Sequence, residues 1–245
     1  MIDIPTKYES SFFCSMGNLK PSPETIPVLL DLFRQEGLLP TVLHEVRPGS
    51  TAPRPILQMG APEGEWVITL RSDRILFQKS PTVKVGRSTD DSEAFAADVT
   101  CFAARILERF PRQGVRLAFV TAGLMEEMSE ETLRHAYERL FHSTEFYTKH
   151  CPVEWAWRSV ARVPVQIGVL HESLNLITSI NRVPRELSSA SGTTLLDRIE
   201  VQFDINTHQE SIETRFDSAG FASFLKEALR LRAELLSEVE GLING

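Results

Sequence analysis

The chain has 245 residues, 42% hydrophobic and 24% charged, the balance of an ordinary globular protein and not of a disordered, collagen-like or membrane chain. No apolar run approaches the roughly 18 residues a membrane-spanning helix needs, and a formal net charge of -7 opposes a polyanion at long range, which disfavours nucleic acid as a partner. Cys14, Cys101 and Cys151 include no CxxC pair and leave an odd thiol, and the opening MIDIPTKYES lacks the basic-then-apolar order of a secretory signal, so free thiols and a cytoplasmic location are expected.

Tyr8 to Met16 reads as a strand that closes on Gly17 and Asn18. A helix is expected next, with Ser22 as N-cap, Pro23 at the first helical position and Glu24 complementing the dipole. Its apolar face is Ile26, Leu29, Leu30 and Phe33, and Gly37 supplies the left-handed stop. From Leu39 to Lys79 the period falls to two, giving strands at Thr41 to Arg47, Ile56 to Met59, Trp66 to Arg71 and Ile75 to Gln78. The last two form a hairpin around Ser72-Asp73. After a polar connection at Gly86 to Asp91, a second helix carries Phe95, Val99, Phe102, Ile106 and Phe110 on one side and ends at Pro111.

The order then recurs. Val115 to Ala122 is a strand, and Ser129 caps a helix with the stripe Leu133, Ala136, Tyr137, Leu140 and Phe141. Trp155 to Ile167, Leu174 to Arg182 and Arg198 to Thr207 alternate as strands, and a long helix from about Ser218 to Leu242 completes the chain. The expected fold class is therefore α+β: a duplicated module of strand, helix, three or four antiparallel strands and helix. Its sheet would be curved and antiparallel with the helices on one face, because each alternating strand has one apolar side. The modules would be residues 1–112 and 113–245, able to share one continuous sheet.

Nothing in the chain names a reaction. GxGxxG, GxxxxGK[ST] and GxSxG are absent. His150-Cys151 is a thiol-imidazole pair in sequence, but neighbours in an extended chain point apart, so a loop thiol is expected. His44, His135, His142, His150, His171 and His208 reach no ligand spacing with a Cys or carboxylate on one helix, so no metal and no other cofactor is expected. The acidic pairs Asp90-Asp91, Glu126-Glu127 and Glu130-Glu131 sit at or before helix starts, where the dipole accounts for them.

Two features point to binding instead. Arg158 and Arg162 fall on one strand face, opposite the side bearing Trp155 and Trp157, and Arg182 of the next strand would join them in a basic pocket for a carboxylate or phosphate. The competing expectation is a solvated face paired with Glu200 or Asp204. In the final helix, Phe224, Ala228, Leu231, Leu235, Val239 and Leu242 form one apolar row and Phe221, Leu225, Leu229, Leu236 and Ile243 a second. That arc is wide for a helix lying on one sheet, so Leu229 and Leu236 are expected to be covered by another part of the fold or by another chain.

The order of elements resembles the duplicated TATA-binding-protein fold, and each half is similar to helix-grip ligand-binding domains, although no sequence motif of either is present. The strand Val115 to Phe119, the strand Ile199 to Ile205 and the ending Leu235 to Ile243 resemble a sporadically distributed, uncharacterised bacterial protein family of similar length. That resemblance implies an accessory role in a conflict or defence system and supplies no activity. The function expected is a non-enzymatic protein-binding or assembly protein with a protein partner or homo-oligomeric state. The alternative is a small-ligand-binding or enzymatic helix-grip domain whose pocket is anchored by an arginine on a small anion.

Overall fold

The computed structural model describes residues 1–46, 49, 52–81, 90–189, 192–208 and 212–244, with backbone alone for 183–189, 192–196 and 244. Among the described residues there are nine strands and five helices. The first stretch is β1 (Ile2–Phe13), α1 (Thr25–Leu32), β2 (Leu39–Glu45), β3 (Arg54–Gly60), β4 (Trp66–Leu70), β5 (Arg74–Lys79) and α2 (Ser92–Arg109). The second is β6 (Arg116–Met125), α3 (Glu130–Leu140), α4 (Glu145–Lys149), β7 (Trp155–Ile167), β8 (Leu170–Ser189), β9 (Gly192–Thr207) and α5 (Ser218–Asn244). The strands make one antiparallel sheet, which does not close, in the order β2-β3-β4-β5-β1-β6-β9-β8-β7. β1 and β6 are neighbours, β5 returns to pair with β1, and β9 returns to pair with β6.

Local chemistry fixes the element ends. α1 starts two residues later than expected, with Glu24 and not Ser22 in the N-cap position, although Ser22 Oγ accepts the backbone N–H of Thr25 at 3.2 Å; Gly37 takes φ +66° so that Leu38 N–H donates back to the Phe33 carbonyl. Arg71 N–H donates to the Arg74 carbonyl at 2.9 Å, which leaves Ser72-Asp73 as a two-residue turn between β4 and β5. Ser129 Oγ accepts from Thr132 N–H and starts α3. β1 differs from expectation, beginning at Ile2 and ending at Phe13, and its pairing with β6 shifts register between Ile2 and Ile4 and between Pro5 and Lys7. Such bulges break the period-two pattern that marks a strand in sequence. Gly123 lies under this irregular stretch, where an added Cβ would sit 2.5 Å from Ile2 Cγ2. The short α4 has no buried residue and was not anticipated.

The core fills the space between one face of the sheet and the helices. Tyr8, Phe12, Trp66, Ile68, Phe77, Leu117 and Phe119 meet Phe95, Val99 and Phe102 of α2 and Phe221 and Phe224 of α5. The Phe95 ring lies 5.5 Å from Tyr8 and 5.4 Å from Trp66, and Phe12 lies 5.4 Å from Phe221, spacings at which aromatic pairs add to simple area burial. A second cluster packs Leu133, Ala136 and Tyr137 of α3 and Val239 and Ile243 of α5 on Trp155, Ile180, Ile199, Val201 and Phe203.

Candidate functional site

Alternation gives the sheet a second face, and among the described residues no helix packs on it. In register across the central strands stand Asn175, Asn206, Ala118, Ser11, Leu76 and Thr69, small, amide and aliphatic side chains in one row. Ser11, Leu76 and Ala118 are nevertheless buried. At one end of the row Arg162 Nε donates to Asn175 Oδ1 (3.2 Å), Asn175 Nδ2 to Asn206 Oδ1 (3.2 Å) and Asn206 Nδ2 to Asp204 Oδ1 (2.9 Å). A polar ladder thus runs inward from edge strand β7.

Arg158 and Arg162 both project from β7 onto this open face and are exposed, and Arg158 has no ion pair among the described residues. Arg182 does not join them. The antiparallel register sets Arg182 opposite Trp155, whereas Arg158 faces Ser179 and Arg162 faces Asn175, so Arg182 points to the helix side. The expected three-arginine pocket is corrected accordingly. Arg182 is only 2% exposed and is held by Asp197 (Nε to Oδ1 3.0 Å, Nη2 to Oδ2 2.7 Å) and by Glu130 (Nη2 to Oε2 2.9 Å). The hydrogen bonds to Asp197 raise the Arg182 pKa, and Arg182 in turn holds the Asp197 carboxyl below the usual range.

Leu229 and Leu236 are half-buried, Leu229 against the main core and Leu236 against the second cluster. Both line a cleft of about 300 Å³ where α5 meets the start of α2, together with Asp90, Ser92 and Arg232. Arg232, which also lines it, is held at two atoms: Nε donates to Thr121 Oγ1 at 2.8 Å and Nη1 lies 2.7 Å from Asp90 Oδ2. Asp90 also accepts from Tyr8 Oη at 3.2 Å, and burial pushes the Tyr8 phenol well above its ordinary pKa. Burial likewise raises the Cys151 thiol, while the His150 ring packs on Phe146 at 4.9 Å, so the adjacent pair is not an activated nucleophile.

One constellation escaped the sequence. Arg116 on β6 and Arg74 on β5 are both register partners of Phe13 on β1, and Arg71 continues the row through its hydrogen bond to Arg74. The guanidiniums of Arg74 and Arg116 lie 5.0 and 4.9 Å from the Phe13 ring centre. Arg116 is 42 positions from Arg74 and Arg74 is 61 from Phe13, so only strand register joins these three. Glu36 and Arg105 form a further ion pair on the helix side, 2.6 Å apart.

No helix among the described residues is long and apolar enough to cross a membrane, and among them no three His, Cys, Asp or Glu side chains are grouped to hold a metal. No family model matches the sequence, and no curated protein matches it.

Proposed function

We propose that the protein is a non-enzymatic binding or assembly protein that receives a protein partner on the open face of its sheet. The observation that carries this is the contrast in coverage: helices pack on one face, and among the described residues none packs on the other, which still presents an ordered mixture of aliphatic, amide and arginine side chains. Mixed surfaces of this kind, with arginine and aromatic residues inside the patch, are typical of protein interfaces. Edge strand β2 supports the assembly part of the reading, since Leu39, Val42 and Leu43 are exposed there and a free edge can pair with a further strand. The order of elements and the return of β5 to β1 and β9 to β6 support duplication of one module, which would make the open face a joint surface of both copies.

The test compares partner capture from the native host by the intact chain and by an Arg158→Ala, Val160→Glu, Arg162→Ala variant. A specific protein captured by the first and lost by the folded variant supports the proposal. Retention by this variant together with loss by a Leu229→Glu, Leu236→Glu variant moves the site to the α2–α5 cleft. That outcome favours the small-ligand reading, whose arginine anchor would be Arg232; its existing pairing with Asp90 and Thr121 counts against it.

A further inference from the structure

Arginine side chains carry five N–H donors and a charge that is costly to bury without a partner. On the open face, the Nε atoms of Arg71, Arg74 and Arg116 are buried and make no hydrogen bond. Asp73 lies 3.8 Å from Arg74 Nε and is 57% exposed at the hairpin turn, and the Glu45 carboxylate accepts from Ser72 N–H at 3.4 Å beside Arg71. Burial lowers the Arg116 pKa, with the neighbouring charge of Arg74 acting in the same direction against Asp204. Two cations flanking one ring, with their buried Nε donors unpartnered, describe a surface prepared for an anion. The ring contributes as well: both guanidiniums lie within about 5 Å of the Phe13 ring centre, which places two positive charges side by side on one aromatic face.

Resting on the reading that a protein docks on this face, we propose that the row Arg71, Arg74, Phe13 and Arg116 receives an acidic segment of that partner, its carboxylates forking onto the guanidiniums. Register favours a short acidic peptide over a nucleic acid backbone. Adjacent strands lie about 4.8 Å apart, so the row from β6 to the end of β4 spans roughly 14 Å, room for two or three acidic side chains. Farther along the same face stand Glu9 and Asp204, register partners of Val120, and a longer phosphate chain would be carried onto them. The net charge of -7 adds to that repulsion. One pleat along from the arginines lie Leu76 and Ala118, which give the stems of a docking peptide an apolar floor.

The experiment measures fluorescence anisotropy of labelled hexaglutamate with the full chain at low salt. Saturable binding is expected, weakened about tenfold by Arg74→Gln and by Arg116→Gln, the loss of one charge-assisted hydrogen-bonded contact. Arg116→Lys, which keeps the charge and loses the fork, should also weaken it, and Arg134→Gln on α3 should not. Absence of saturable binding, equal binding by the glutamine variants, or stronger binding of a single-stranded hexathymidylate through the same arginines overturns the proposal. Capture of the native partner separates the two levels. If the β7 triple variant loses the partner while Arg74→Gln and Arg116→Gln retain it, the arginine row is wrong and the docking face stands; if all retain it, both fall.

Discussion

On the helix side of the sheet, Arg182 and Arg232 are buried and each meets a carboxylate at 2.7 Å, with further oxygen acceptors around them. On the open side, the Nε atoms of Arg71, Arg74 and Arg116 are buried and make no hydrogen bond. The first two guanidiniums are engaged by partners within the fold, whereas the Nε donors of the other three are not. A buried charge that folding has already paired contributes to holding the fold, and one left unpaired is free to respond to something added later.

Removing an engaged arginine should have the largest effect. Arg232→Met would strand Asp90 and Thr121 at the base of the α2–α5 cleft and cost about 3 to 5 kcal/mol, a fall in Tm of roughly 6–20 °C for a chain of this size, measured by calorimetry. A fall below about 1 kcal/mol would erase the distinction between the faces. Arg182→Ala should cost less, about 2 kcal/mol by denaturant titration, because Glu130 and Asp197 are 71% and 46% exposed and can rehydrate.

The Arg105–Glu36 pair sharpens the comparison further, being only partly buried and joined through Nη1 and Nη2 while Arg105 Nε has no partner. The hydrogen bond from Arg105 lowers the Glu36 pKa, so its contribution is present above the unfolded value of about 4.3 and is lost as pH falls through the folded value. Glu36→Gln should destabilise by under about 1 kcal/mol at neutral pH, and the difference from the parent chain should vanish in acid. A difference that persists there would assign the loss to packing. The smallest effect belongs to the open face: Arg116→Gln should alter stability by no more than about 0.5 kcal/mol, in contrast to its effect on hexaglutamate binding. A large destabilisation would mean that this arginine already serves the fold.

What the sequence disclosed follows from periodicity. Ile199, Val201, Phe203 and Ile205 alternate without fault and are all buried, and Phe95, Val99 and Ile106 mark the inward side of α2 just as spaced. Where the period is interrupted, legibility stops: Pro5 and the register shifts beside it concealed the first turn of β1, and α4 buries nothing that could leave a stripe. Arg158 and Arg162 were assignable to one face because they share a strand. Arg182 was not, since its side depends on which residue of β7 stands opposite, and its partners Glu130 and Asp197 come from two other elements. The row around Phe13 is a product of register between three strands and has no local signature at all.

The central position of β1 also governs the order in which the molecule can be completed. Residues 2–13 are made early, yet one of their two neighbours, β6, is drawn from residues 116–125. Until that segment emerges, β1 presents an open flank in the middle of the future sheet, backed by Phe12 and Tyr8, which is the kind of edge that pairs with the wrong chain. Closing it requires a loop of about a hundred residues, a long-range contact that slows folding. The first five strands are thus tied in fate to the last four: a chain interrupted before residue 116 would be an adhesive fragment, and chaperone dependence during synthesis should end only once β6 has docked.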